Sequence, residues 1–222
     1  MDGGCLLQPP DGRTIKPMTA HSQFATHDGR QADILNAARQ AFVEKGFDGA
    51  SMQDLARSVG MSVGNFYRYF PSKAAIIEAI IQKDMDEMQR DFGAIIASND
   101  PFAELRRTIA KHLDERCAPA ETQLWAETTA VALRKTEIGA LVVSMECRVL
   151  NYLIQVIATG TGLDETEARL RFSGHASLIM LLVKGSSMCL HRRGQNADEL
   201  NEMILQIVDR TLDDIAKSAA KG

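Results

Sequence analysis

Between Ser51 and Lys73 the chain reads SMQDLARSVGMSVGNFYRYFPSK, and several of these side chains could recognise a nucleic acid. Asn65 and Arg68 are three residues apart, so a helix would bring them to one face, where both can hydrogen-bond base edges. Tyr67, Tyr69 and Lys73 can reach phosphate oxygens, and Gly64 permits close backbone approach. Ser51 and Ser62 stand where helices should begin, so their hydroxyls and the neighbouring N–H groups could also meet phosphate. The aromatic residues divide by position. Phe66 and Phe70, four apart, belong inside with Phe42 and Phe47, whereas Tyr67 and Tyr69 are hard to bury together on so short a helix.

These side chains need a scaffold, and the flanking residues predict one. Ile34, Leu35, Ala38, Ala41 and Phe42 recur at helical spacing from Arg30 until Gly46 closes the segment. Asp48-Gly49-Ala50 makes a turn, after which Ser51 caps a short helix with Met52, Leu55, Ala56 and Val59 on one face. Gly60 stops it after two turns. Ser62 caps a third helix, Val63 to Phe70, and Pro71 ends it; Ser72 then caps a long fourth helix from Lys73 to about Ile96. The two short helices are below the length at which a helix stands alone, so they must lean on the first and on each other.

Beyond the Asn99-Asp100-Pro101 break the pattern stays helical: Phe102 to about Cys117, Glu121 to Arg134, Ile138 to Ile157, Glu165 to about His191, and Ala197 to Ala216. No strand pattern competes. The expected fold is all-α: a flexible tail over 1–28, a three-helix helix-turn-helix head over 29–75, and a larger helical body over 76–222, about nine helices in all. Met18 offers an alternative start codon within the tail. The net charge of −4 conceals an asymmetry. Residues 30 to 73 carry six Lys/Arg against four Asp/Glu, while residues 74 to 222 carry 17 against 22, so the head is the part suited to phosphate.

Other function classes find little support. Cys5, Cys117, Cys147 and Cys189 are far apart, with no C-x-x-C pair and no zinc-type histidine spacing, so reduced thiols and no metal site are expected. Neither a phosphate-cradling glycine loop nor G-x-S-x-G or H-E-x-x-H occurs, which argues against an enzyme and implies no cofactor. The longest stretch without charge, Val149 to Leu163, is shorter than a bilayer span, and the N-terminus lacks the basic start and apolar run of a secretory signal. A cytoplasmic protein without membrane contact is expected.

The run Phe42-x-x-Lys45-Gly46-Phe47, Ser51-Met52-x-x-Leu55-Ala56 and Gly60-Met61-Ser62-Val63-Gly64-Asn65-Phe66-Tyr67-Arg68-Tyr69-Phe70-x-Ser72-Lys73 resembles the TetR family of repressors. The resemblance covers residues 30 to about 80. It implies an all-helical homodimer with a DNA-binding head and a ligand-binding body, in which an inducer moves the heads out of register with operator DNA. It places base-reading positions on Val63, Gly64, Asn65, Tyr67 and Arg68, and phosphate contacts on Ser51, Ser62, Tyr67, Tyr69 and Lys73. Val63 departs from the pattern. Many relatives have a polar or basic residue there, so a contact from Val63 would be apolar, for instance with a thymine methyl.

In the helix from Glu165, Leu178 to Val183 are six consecutive apolar residues, which demands burial on two sides. Small residues at Gly174, Ala176, Ser177, Gly185, Ser186 and Ser187 admit another helix, and Leu200, Met203, Ile204, Ile207, Val208, Thr211, Leu212 and Ile215 form a second sticky stripe. Helices 165–191 and 197–216 are thus expected to build a homodimer, one thick monomer core being the alternative. Phe92, Phe102, His112, Trp125, Met145, Tyr152 and Met180 are candidates to line a small-molecule effector site, against the competing reading that they are core. Glu127 or Glu146 could pair with a cationic inducer or simply be solvated. A ligand-independent activator or architectural DNA binder shares the same head and is the alternative to an inducible repressor.

Overall fold

A computed structural model describes residues 28–115, 119–188 and 197–220. Among the described residues there are nine helices and no strands. They are α1 (Asp28–Gly49), α2 (Met52–Ser58), α3 (Val63–Tyr69), α4 (Lys73–Ile96), α5 (Pro101–Glu115), α6 (Pro119–Ala132), α7 (Thr136–Thr161), α8 (Glu165–Met188) and α9 (Ala197–Ala219). The expected all-α architecture holds. The tail before Asp28 lies outside the described residues, as does the predicted α8 extension to His191.

Short polar residues start these helices by accepting orphan N–H groups. Ser72 Oγ takes Ala75 N–H at 3.1 Å at the head of α4, Asp100 Oδ1 takes Ala103 N–H at 2.9 Å at α5, and Asp164 Oδ1 takes Glu167 N–H at 2.9 Å at α8. Pro101 occupies the first turn of α5, where its missing N–H leaves no bond unmade. α7 runs beyond the Ile157 expected from sequence, through Thr161, and stops at Gly162, whose φ is +74°. Gly160 serves packing: a Cβ there would stand 2.7 Å from Phe102 Cε1, so no larger residue fits without displacing that ring.

The chain forms two compact units, Met1–Lys83 with Glu127–Cys147, and Asp84–Ala126 with Arg148–Gly222. The sequence places one boundary near residue 75; contacts place it eight residues later and return part of α6 and α7 to the first unit. The core of that unit contains Ile34, Phe42, Leu55, Phe66, Ile76 and Ile138, all essentially inaccessible. The second unit is built on α5, α8 and α9, with Leu105, Leu113, Ile154, Ile157, Phe172 and Leu212 in its core. Arg106 ties α5 to α9, donating to Asp209 and Asp213 at 2.8 Å each.

Two further features of α7 bear on the sequence reading. By length and composition α7 could cross a membrane, with a mean hydropathy of 1.5 over 18 residues. Glu146 and Arg148 lie in mid-helix, however, and Leu153, Ile154, Val156 and Ile157 belong to the second unit's core. Cys147 is disulfide-bonded, correcting the expectation of reduced thiols; its partner lies outside the described residues.

Candidate nucleic-acid interface

α2 owes its start to a reciprocal cap. Ser51 Oγ accepts Asp54 N–H at 3.0 Å and donates its hydroxyl to Asp54 Oδ2 at 2.7 Å, while Ser51 N–H reaches the same oxygen at 3.3 Å. The Ser51 bonds hold the Asp54 carboxyl below the usual carboxylate range, and Lys45 at 3.6 Å acts in the same direction. At the other end Gly60 has φ +65°, Gly60 N–H bonds Arg57 O at 3.1 Å and Met61 N–H bonds Ala56 O at 2.9 Å. This left-handed residue with two closing bonds stops α2 and turns the chain toward α3.

Ser62 Oγ accepts Asn65 N–H at 3.3 Å and caps α3. Phe66 is fully buried and its ring meets that of Phe70 at 6.1 Å, so the inner side of α3 is anchored as the four-residue spacing predicts. The opposite side faces outward. Val63 and Tyr67 are exposed, at 37% and 48%, as are Gly64 and Arg68; Asn65 and Tyr69 are half-buried. The Arg68 guanidinium lies 5.9 Å from the centre of the Tyr69 ring. Among the described residues, nothing beyond α3's own backbone and Gly64's chain neighbours comes within 4 Å of where a Cβ on Gly64 would be, so the space over this part of α3 is open.

The structure thus brings Val63, Gly64, Asn65, Tyr67 and Arg68 together on one seven-residue helix, five residues of a single outward or half-buried surface. Lys73 has another occupation. Its ammonium donates to Phe47 O at 2.6 Å and to Asp48 O at 3.2 Å, in the last residues of α1 beyond the Gly46 kink. Ser51 is likewise engaged, its hydroxyl hydrogen held by the neighbouring Asp54 carboxylate. Asp54 was identifiable as a capping-box residue by its spacing from Ser51 but carries no place in the sequence-derived site.

The candidate effector residues scatter. Phe102 is a core residue packed on Gly160. Tyr152 stacks on Phe92 with ring centres 5.1 Å apart, and Met180 packs against the same core. His112 and Trp125 are half-buried in the second unit, whereas Met145 belongs to the first. Glu127 accepts Phe47 N–H at 2.8 Å, a role different from either of those considered for it from sequence. Among the described residues no cluster of three or more His, Cys, Asp or Glu could hold a metal.

A short helix with an open outward face, held by capped neighbours and a buried aromatic anchor, defines a helix-turn-helix protein. Residues 34–80 match the family model described as bacterial regulatory proteins, tetR family. The head of the chain thus resembles the DNA-binding segment of TetR-family regulators, and the named relatives are transcriptional regulators, not enzymes. It is 30% identical over 122 residues to the HTH-type transcriptional regulator UidR of Escherichia coli K12, a match covering 55% of this chain and 61% of that protein. It is 26% identical over 115 residues to the HTH-type transcriptional repressor KstR2 of Rhodococcus jostii, covering 51% and 52% respectively. The chain therefore aligns with less than two thirds of either relative's length. Salmonella enterica GusR shares the fold, with a TM-score of 0.61 at 24% identity over 84% of this chain and all of that one.

Proposed function

We propose that this protein is a cytoplasmic homodimeric repressor that grips a pseudo-palindromic operator through α3 and is released by a small-molecule inducer. The observation that carries the reading is the outward face of α3, where Val63, Gly64, Tyr67 and Arg68 are exposed on a helix whose inner side is fixed by Phe66. Such a face fits the major groove, with Asn65 and Arg68 suited to base edges, Val63 to a thymine methyl, and Tyr67, Tyr69 and Ser62 to phosphate. The repressor named among the relatives supports the sign of regulation.

Dimerisation is supported by apolar side chains left in solvent on α8 and α9. Leu178, Leu181, Met203 and Ile207 are all exposed, and on α8 Gly174, Ser177 and Gly185 are exposed beside them. A second copy related by two-fold symmetry would cover these residues and duplicate the reading helix, matching half-sites about one helical turn apart. In the body, the Phe92–Tyr152 stack offers an aromatic surface for an apolar inducer.

Footprinting on the DNA upstream of the protein's own gene, with light scattering of the same sample, tests the reading. A dimer protecting two half-sites about one turn apart is expected. A stable monomer, or protection independent of sequence, would overturn it.

A further inference from the structure

The segment linking α1 to the reading unit is held by charges from three separate parts of the chain. α1 kinks at Gly46, where φ is +70° and ψ 166°, and a short helical turn runs on to Gly49. Ala50 N–H returns to Gly46 O at 3.1 Å, but the other groups of the turn find distant partners. Phe47 N–H donates to Glu127 Oε1 at 2.8 Å across 80 residues of sequence. The carbonyls of Phe47 and Asp48 accept from Lys73, and the Asp48 carboxylate accepts from Lys135 at 2.7 Å with Arg134 at 3.5 Å. The Phe47 ring, itself buried, has the Lys73 and Lys135 ammonium groups 4.9 and 4.5 Å from its centre.

This turn has little freedom to choose another arrangement. A Cβ on Gly46 would lie 3.1 Å from Glu127 Oε1 as well as demanding a left-handed backbone. Ser51, the cap of α2, follows Phe47 by four residues, so the setting of the turn is passed directly to α2 and then, through the Gly60 stop, to α3. Binding surfaces tolerate misplacement of only about half an ångström before contacts are lost. Two of the three N–H bonds available to Lys73 point at the turn's carbonyls, which is a positioning geometry.

We propose that Lys73, Glu127 and Lys135 are positioning residues for DNA binding, acting through the Gly46–Asp48 turn and not by touching DNA. The proposal rests on the regulator reading above, and it differs from a phosphate contact in one measurable respect. A lost phosphate contact lowers the salt dependence of binding by about one counterion, whereas a displaced turn lowers affinity and leaves that slope in place.

The test uses the full chain as wild type, Glu127→Ala, Glu127→Gln and Lys73→Met. Amide exchange by NMR without DNA reads the turn itself, with Leu55 N–H, bonded to Ser51 O inside α2, as the control. In Glu127→Ala, exchange at Phe47 should quicken by about tenfold while Leu55 is unchanged, and Glu127→Gln, which keeps an acceptor oxygen, should restore protection. Against a duplex of the intergenic DNA upstream of its own gene, Glu127→Ala and Lys73→Met should each bind about tenfold more weakly at an unchanged salt slope, with Glu127→Gln near wild type.

Unchanged Phe47 exchange in Glu127→Ala would overturn the proposal, as would a salt slope reduced by about one in Lys73→Met. Wild type that binds this duplex while Glu127→Ala binds equally well overturns the positioning role alone. Wild type that shows no preference for the duplex over scrambled DNA overturns the regulator reading instead. Should Glu127→Ala also unprotect Leu55, the slope of Lys73→Met decides.

Discussion

α2 and α3 have seven residues each and both begin on a serine cap, yet they dispose of their polar side chains in opposite ways. α2 turns its charges on itself: Ser51, Asp54, Lys45 and Arg57 form a connected set of hydrogen bonds and ion pairs. α3 sends Tyr67 and Arg68 outward and leaves open space above Gly64. Both helices are equally local in sequence and equally dependent on their neighbours. The difference is that α2 engages Ser51, Asp54 and Arg57 in bonds within the protein, while α3 leaves Val63, Gly64, Tyr67 and Arg68 facing outward.

The largest expected effect removes the anchor on which both helices rely. Phe66→Ala should cost about 3–5 kcal/mol and melt the head, because a fully buried ring is replaced by a cavity. Circular dichroism with amide exchange would read it; loss of α3 protection with α2 intact would mean the two helices are less coupled than their packing indicates.

Ser51→Ala separates the helices. It removes the α2 cap and should lower stability by about 1 kcal/mol, while binding to DNA at temperatures where the head is folded should change little. Denaturant melts and titrations on one preparation would check this. A loss of affinity larger than the loss of stability would return Ser51 to the contact set.

Gly64→Ala should do the reverse. The structure shows room for the methyl group, and alanine is favoured over glycine in helices, so the free protein should gain up to about 1 kcal/mol. DNA binding should weaken, since the added Cβ occupies space that an approaching duplex needs. An affinity equal to wild type would show that α3 does not approach DNA at this position.

The smallest effect is acid sensitivity. Asp54 has a folded-state pKa below its unfolded one, so its stabilisation is complete above the ordinary carboxylate range and is lost as pH falls through the depressed value. Asp48 behaves alike, held down first by its bond from Lys135. Melting temperatures of wild type and Asp54→Asn should therefore differ near neutrality and converge under strongly acid conditions. A difference that grows on acidification would contradict the assignment.

The contrast between the helices also separates what was legible in the sequence from what was not. Caps at Ser51, Ser62 and Ser72, the stop at Gly60 and the inward Phe66 are local signals, each set by residues within four or five positions. They gave the elements of the head and the outward face of α3. Glu127 meeting Phe47 has no such signal, because a side chain bonding a backbone 80 residues away leaves no periodicity to read. Lys73 reads as a phosphate contact for the same reason, since its bonds to the Phe47 and Asp48 carbonyls reach across the chain. Phe102 illustrates the limit for the body: an aromatic at helical spacing suits a pocket or a core, and its close approach to Gly160, nearly sixty residues on, leaves no periodicity to read.

The measurement that most directly tests α3 as the reading element is the sequence preference of Arg68→Ala beside wild type, determined over a panel of duplexes varied one base pair at a time. Loss of discrimination at one position in each half-site, worth about 1–3 kcal/mol, is the predicted result. An equal loss of affinity on every duplex, with the preference pattern unchanged, would contradict it.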